Sequence, residues 1–200
     1  MRHATGNYFV ILDSDCILPP QYLNLIKKRL NQQFVHCYGG PDAAHPSFST
    51  LQKAIDFSMT SFITTGGIRG GSSEVKNFEP RSFNMGLSKT AFEKTGGFGQ
   101  IHPGEDPDLS LRIQKAGYTT KLFTEAYVYH KRRLNWNKFF SQVLKFGLVR
   151  PILNQWHRGS GKITYWFPTI FLIGSTIALV LSAFGHFLLL WIYILYLALV

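Results

Sequence analysis

The sequence predicts an α/β domain that gives way to an amphipathic helix and then to transmembrane helices, and three observations predict it. A short apolar run over residues 8–12 ends in two aspartates, Asp13 and Asp15. Helical periodicities then alternate with further strand candidates as far as residue 130, the order of a layered α/β domain. From residue 163 to the end there is no Asp, Glu, Lys or Arg, and only His186 can carry a charge.

The run YFVIL at residues 8–12 is β-branched and aromatic, which reads as a buried strand stopping at Asp13. Pro19 and Pro20 introduce a helix over residues 21–34, where Tyr22, Leu23, Ile26 and Leu30 recur on one face and Lys27, Lys28 and Arg29 fall largely on the other. Residues 34–38 form the next strand candidate, closed by Gly39, Gly40 and Pro41. A helix is expected over residues 48–63, a glycine-rich mobile loop over 64–73, and a strand over 82–88 followed by a short helix that stops at Gly96 and Gly97. Residues 105–117 carry a full helix signature: acids and Pro107 at the start, Leu109, Ile113 and Ala116 on one face, Lys115 in the last turn and Gly117 as the C-cap. Two short strands, near 119–123 and 126–129, lead to His130.

Charge separates the halves of the chain. Residues 126–200 hold Lys131, Arg132, Arg133, Lys138, Lys145, Arg150, Arg158 and Lys162 and none of the 11 acids, so they supply +8 of the net +10. A basic excess can serve nucleic acid, an anionic membrane surface or a phosphorylated ligand. Its position beside a long apolar run decides for the membrane and against nucleic acid. At about 20 residues per crossing, the run fits one span at about 165–184 and most of a second at about 187–200, with Gly185 and His186 between them. The positive-inside rule then puts the preceding domain in the cytoplasm, on a multi-pass protein of the cell (inner) membrane. Over residues 136–148, Trp136, Phe139, Phe140, Val143, Leu144 and Leu148 oppose Asn137, Lys138, Ser141, Gln142 and Lys145, the pattern of a helix lying in the membrane interface. Cys16 and Cys37 are too few for a disulfide framework and suit a reducing compartment.

Asp13 and Asp15 stand at the carboxyl end of a strand, where open α/β sheets place their ligands. Two carboxylates so close repel unless a cation neutralises them, and hard oxygen donors suit Mg²⁺ or Mn²⁺. Glu105 and Asp106 open a helix; Asp106 reads either as its N-cap or as a general base at the mouth of a site. His130 ends a strand and is a candidate third metal ligand, with Lys131, Arg132 and Arg133 placed to meet a diphosphate or the membrane.

Four segments in order, GNYFVILDSD (6–15), FNMGLSKTAFEKTGGF (83–98), GEDPDLSLRIQKAGY (104–118) and AYVYHKRR (126–133), resemble the inverting family-two glycosyltransferases of GT-A fold, above all the bacterial polysaccharide-building ones. The resemblance implies that Asp13 and Asp15 are a DxD pair holding the metal and the diphosphate of a nucleotide-sugar donor, assisted by His130. It implies that Asp106 is the catalytic base with Glu105 beside it on the substrate side, and that Asn84, Met85 and Gly86 border the pocket of a glycan or lipid-linked acceptor. Residues 142–150 are loosely similar to the Gln and Arg motif of the interfacial helix in processive synthases, which makes Arg150 a substrate contact. Complete relatives begin with a strand, helix and strand that cradle the nucleotide base. Here the DxD strand starts at residue 8, so the expected organisation is a partial catalytic domain at 1–133 lacking the nucleotide-binding half, a basic interfacial segment at 134–162 and a transmembrane region at 163–200. Such a chain is expected to be inactive, or nearly so, by itself. Two other readings compete: a metal-dependent phosphohydrolase with Asp13 as nucleophile, and a non-catalytic membrane-anchored remnant that binds a polysaccharide or a partner.

Overall fold

The computed structural model describes residues 3–65, 78–131 and 135–199. Most of the predicted glycine-rich loop, together with Arg132 and Arg133, lies outside the described residues.

Strand β1 (Tyr8–Leu12) leads through Asp13 to a two-residue strand β2 (Cys16–Ile17) and then to helix α1 (Tyr22–Gln32). Strands β3 (Cys37–Gly39) and β4 (Asp42–Ala43) follow, then helix α2 (Thr50–Thr60) and a single turn α3 (Phe62–Thr65). Ser49 opens α2 with a reciprocal capping box to Gln52. Strand β5 (Asn84–Ser88) runs into α4 (Lys89–Thr95), and α5 (Glu105–Lys115) precedes β6 (Thr120–Leu122) and β7 (Val128–His130). Beyond them lie α6 (Trp136–Trp156), a 3-10 turn (Ile163–Trp166), α7 (Phe167–Ala183) and α8 (Leu188–Leu199).

Four strands make the main sheet in the order β1-β5-β3-β6, with β5 antiparallel to both β1 and β3, and β3 parallel to β6. Successive side chains of a strand point to opposite faces, and each face is covered. Tyr38, Val35 and Val128 pack with Tyr22 and Ile26 of α1. Cys37, Met85 and Leu87 pack with Ala91 of α4 and Leu109 and Ile113 of α5. Only glycine fits at position 86 in this packing, since a Cβ there would lie 1.9 Å from the Tyr38 ring.

A second, smaller sheet, β2-β7-β4, escapes sequence reading because two of its strands have two residues each. Helix α6 also differs from expectation, running on from residue 148 to Trp156 through Pro151. One helical stretch, Ile163–Ala183, is 21 residues long and apolar enough to cross a membrane; α8, where an incomplete second span is expected, is apolar but shorter than a crossing.

Candidate active site

The small sheet builds the acidic end of the site. Pairing of β2 with β7 sets Cys16 opposite His130, and the Lys131 amide donates to the Asp15 carbonyl at 3.1 Å. His130 is thereby delivered to the two aspartates: its Nε2 lies 3.3 Å from Asp15 Oδ1 and 3.9 Å from Asp13 Oδ2. On the other side of β7, β4 brings the buried Asp42 carboxylate to 3.9 Å from His130 Nδ1. Phe83 stacks on the imidazole, with 4.7 Å between ring centroids. The ring is therefore held from behind, with Nε2 left facing Asp13 and Asp15.

Two carboxylates and one imidazole nitrogen form a hard, oxygen-rich donor set that suits Mn²⁺ or Mg²⁺. Cys16 falls within the same cluster, its ligand atom and those of Asp15 and His130 all within 4.8 Å of one another. Its thiol is a poor ligand there. Burial, reinforced by Asp15 and Asp13, pushes it up to about 12, and it donates to the Phe83 carbonyl at 3.4 Å.

Helix α5 supplies two further carboxyl groups, Glu105 and Asp106. Its N-cap is Gly104, at φ 119°, so Asp106 lies within the first turn and is not the cap. Gly104 also lets α6 come close, since a Cβ there would meet Val149 Cγ1 at 2.5 Å. Burial raises the Asp106 carboxyl above the usual carboxylate range, and Glu105 adds to the rise; Arg81 and hydrogen bonds from Ser82 pull the other way without cancelling it. Asp106 Oδ1 is buried and has no hydrogen-bond partner among the described residues. Glu105 Oε1 accepts a hydrogen bond from His102 Nδ1 at 3.0 Å. Asp108 serves the fold instead. Its carboxylate pairs with Arg112 at 2.8 Å and with His157 Nε2 at 2.8 Å, tying α5 to the end of α6.

Asp13, Asp15, His130, Glu105, Asp106 and Arg150 all line one cavity of about 1890 Å³. Its wall continues along Asn137, Ser141, Gln142 and Lys145 of α6 to aromatic residues of the apolar helices, among them Phe171, Tyr193 and Tyr196. The polar residues of α6 thus face the cavity together with Val143, Phe146 and Val149, whereas Trp136, Phe140, Leu144 and Leu148 are exposed and do not line it. Asn84, Met85 and Gly86 are not brought to it. Strand β5 lies between β1 and β3 with both faces covered, and Asn84 is spent in the core, accepting from Tyr22 Oη and donating to the Ala126 carbonyl at 2.6 Å. The three residues expected to border an acceptor pocket are therefore buried away from this cavity, and Arg81, Ser82 and Phe83, just upstream, line it.

Among solved structures, the chain is similar to TarS 1–349 of S. aureus, at 13% identity and a TM-score of 0.46, over 76% of this chain and 41% of that one. It is also similar to the mannosyltransferase PcManGT of Pyrobaculum calidifontis in complex with GDP-Man and Mn²⁺, at 16% identity and a TM-score of 0.45, over 89% of this chain and 57% of that one. The chain thus spans 41% and 57% of the lengths of these two structures, and TM-scores below 0.5 are too low to transfer any residue. No curated protein matches the sequence. The model of glycosyl transferase family group 2, in contrast, matches residues 8–200. The chain therefore belongs to that family, as the four ordered sequence segments led us to expect.

Proposed function

We propose that this chain carries the catalytic part of an inverting glycosyltransferase that moves a sugar from a nucleotide-sugar donor to a glycan or lipid-linked acceptor at a membrane. The observation that carries the reading is the shared cavity. A desolvated carboxyl group and a carboxylate–imidazole cluster open into one space whose far wall is built by α6 and by apolar helices.

In this mechanism Asp106 takes the proton of an acceptor hydroxyl, whose oxygen attacks the anomeric carbon from the side opposite the leaving nucleoside diphosphate. A single displacement inverts that centre. Burial suits Asp106 to this step, because a raised carboxyl is a stronger base than an exposed one. Asp13, Asp15 and His130 would hold Mg²⁺ or Mn²⁺, which when bound supplies positive charge to the diphosphate. Asp42 and Phe83 keep His130 turned toward the aspartates. Glu105 and Arg150 contact substrate, the guanidinium serving anionic oxygens.

Residues 1–133 form the catalytic unit in this reading, 134–162 the interfacial segment and 163–200 the membrane region. The stretch Ile163–Ala183 is long and apolar enough for a crossing. The exposed apolar side of α6 suits the headgroup boundary, and the excess of basic residues before the crossing supports a catalytic unit in the cytoplasm with the protein in the inner membrane.

The test is transfer itself. Membranes containing the chain are incubated with labelled nucleotide sugars, Mn²⁺ and a membrane lipid extract. Label entering the glycan or lipid fraction from the wild type and not from Asp106→Asn supports the reading; measurable incorporation that is equal in both removes Asp106 from the chemistry.

A further inference from the structure

One buried acid outside the acidic cluster has no part in the mechanism above. Glu79 precedes β5 by five residues, and its side chain is 6% exposed. It meets three groups from the far end of the chain. Lys162 Nζ lies 2.7 Å from Oε1, Tyr165 Oη donates to the same oxygen at 3.5 Å, and Arg150 Nη2 lies 3.8 Å from Oε2. The Arg150 guanidinium also sits over the Tyr165 ring, 4.1 Å from its centroid.

The planar guanidinium thus has two neighbours, an aromatic ring on one face and, at one edge, a buried carboxylate in ion-pair range but beyond hydrogen-bond reach. Its remaining terminal nitrogen, Nη1, is buried and has no hydrogen-bond partner among the described residues. Arg150 and Tyr165 line the cavity, whereas Glu79 and Lys162 stand behind its wall. One carboxylate therefore joins the catalytic domain to α6, to the connection after it and to the turn that opens the apolar stretch.

We infer that Glu79 is a positioning residue that aims the Arg150 guanidinium into the cavity and sets where the apolar helices begin relative to the catalytic carboxylates. This rests on the proposed reading of the cavity as a site for phosphate-bearing substrates. Without Glu79, Arg150 loses its edge partner and is left beside Lys162 with like charges unbalanced, so the guanidinium turns away.

Charge and positioning predict opposite signs, which makes the inference testable. Glu79→Gln makes the surroundings of Arg150 more positive. Coulomb attraction alone would then tighten binding of an anion, whereas loss of aim weakens it. The probe is inorganic pyrophosphate with Mg²⁺, titrated calorimetrically into the full chain in detergent, using Glu79→Gln, Arg150→Lys and the double variant. The expected result is binding weakened about tenfold by Glu79→Gln, with the double variant no weaker than Arg150→Lys alone, because the two act through one group. In a transfer assay the loss should fall on KM more than on kcat. Spin labels on Glu93 and Leu179 should show a broader distance distribution in Glu79→Gln than in the wild type. If Glu79→Gln does not fold, Glu79→Asp keeps the charge but shortens the reach, and the same weakening is expected. Unchanged or tighter pyrophosphate binding, or additive effects in the double variant, overturns the inference. If pyrophosphate binding and label distances respond while the wild type transfers no sugar, the positioning role stands and the proposed activity falls.

Discussion

Burial gives Asp106 its basicity and makes it a liability to the fold. A carboxyl whose folded pKa is raised above its unfolded one favours the folded state fully below the unfolded pKa, and this advantage is lost as pH rises through the folded pKa. Above that folded pKa the ionised Asp106 therefore costs stability. Asp106→Asn should abolish transfer, by about three orders of magnitude or more, while raising the Tm at pH values above that folded pKa and leaving donor affinity largely intact. Transfer by the wild type should fall as pH drops through a pKa above that of an ordinary carboxylate. A melting scan beside a pH–rate profile checks both, and a lower Tm for Asp106→Asn would show that the carboxylate is not strained by burial. A second prediction concerns His130. Asp42 stands behind its Nδ1, so Asp42→Ala should weaken Mn²⁺ binding about 10- to 100-fold, read from the spin-resonance signal of free Mn²⁺ during titration. Asp13, Asp15, Asp106 and His130 were legible in the sequence because each sits where a strand or helix signal ends or begins. Asp42 and Glu79 were not, since their partners are 88 and 83 residues away, at His130 and Lys162, and no local pattern marks such a pairing.

Helix α5 serves the site at its first turn and the assembly one position further on. Burial pushes the Asp108 carboxyl up, but hydrogen bonds from Arg112 and His157 outweigh it and hold the group below the usual carboxylate range. Its stabilising contribution is present above the unfolded pKa and lost as pH falls through the depressed folded pKa, so acid should free the end of α6. Asp108→Asn breaks the ion pair while Arg112 keeps its bonds to the Thr95 and Gly97 carbonyls, so it should cost about 1–3 kcal/mol, measurable as a lower urea midpoint at pH 7 with hydrogen exchange rising first in residues 150–157. At the sheet, Gly86→Ala should lose about 1–3 kcal/mol by overpacking against Tyr38. Elements with several turns of periodic sequence, α1 and α5, came out of the sequence within two residues of their observed ends. The small sheet did not, because two-residue strands are defined by their partners and have no period of their own. For α6 the apolar stripe was legible to residue 148, where its periodicity ends, yet the helix continues through Pro151 to Trp156.

At the scale of the whole molecule, the surface itself argues for lipid. Leu172, Ile173, Leu179, Trp191, Leu195 and Leu197 of α7 and α8 are each more than half exposed, as are Trp136, Phe140 and Leu148 of α6. Apolar patches of that extent are not left to water in a soluble monomer. The last prediction follows from the position of the charges. Eight basic residues and no acids lie between residues 126 and 162, immediately before the stretch that is long enough to cross. Translocating that segment would cost far more than retaining it, so the catalytic carboxylates and α6 should stay in the cytoplasm, and a crossing by Ile163–Ala183 would carry Gly185 and His186 to the opposite side. In a background with Cys16 and Cys37 replaced by Ser, Glu93→Cys should be protected from a membrane-impermeant maleimide in intact cells and labelled after lysis. His186→Cys should be labelled in both. Labelling of Glu93→Cys from outside would reverse the orientation, and labelling of neither position in intact cells would mean that α7 and α8 rest on the cytoplasmic leaflet without crossing it.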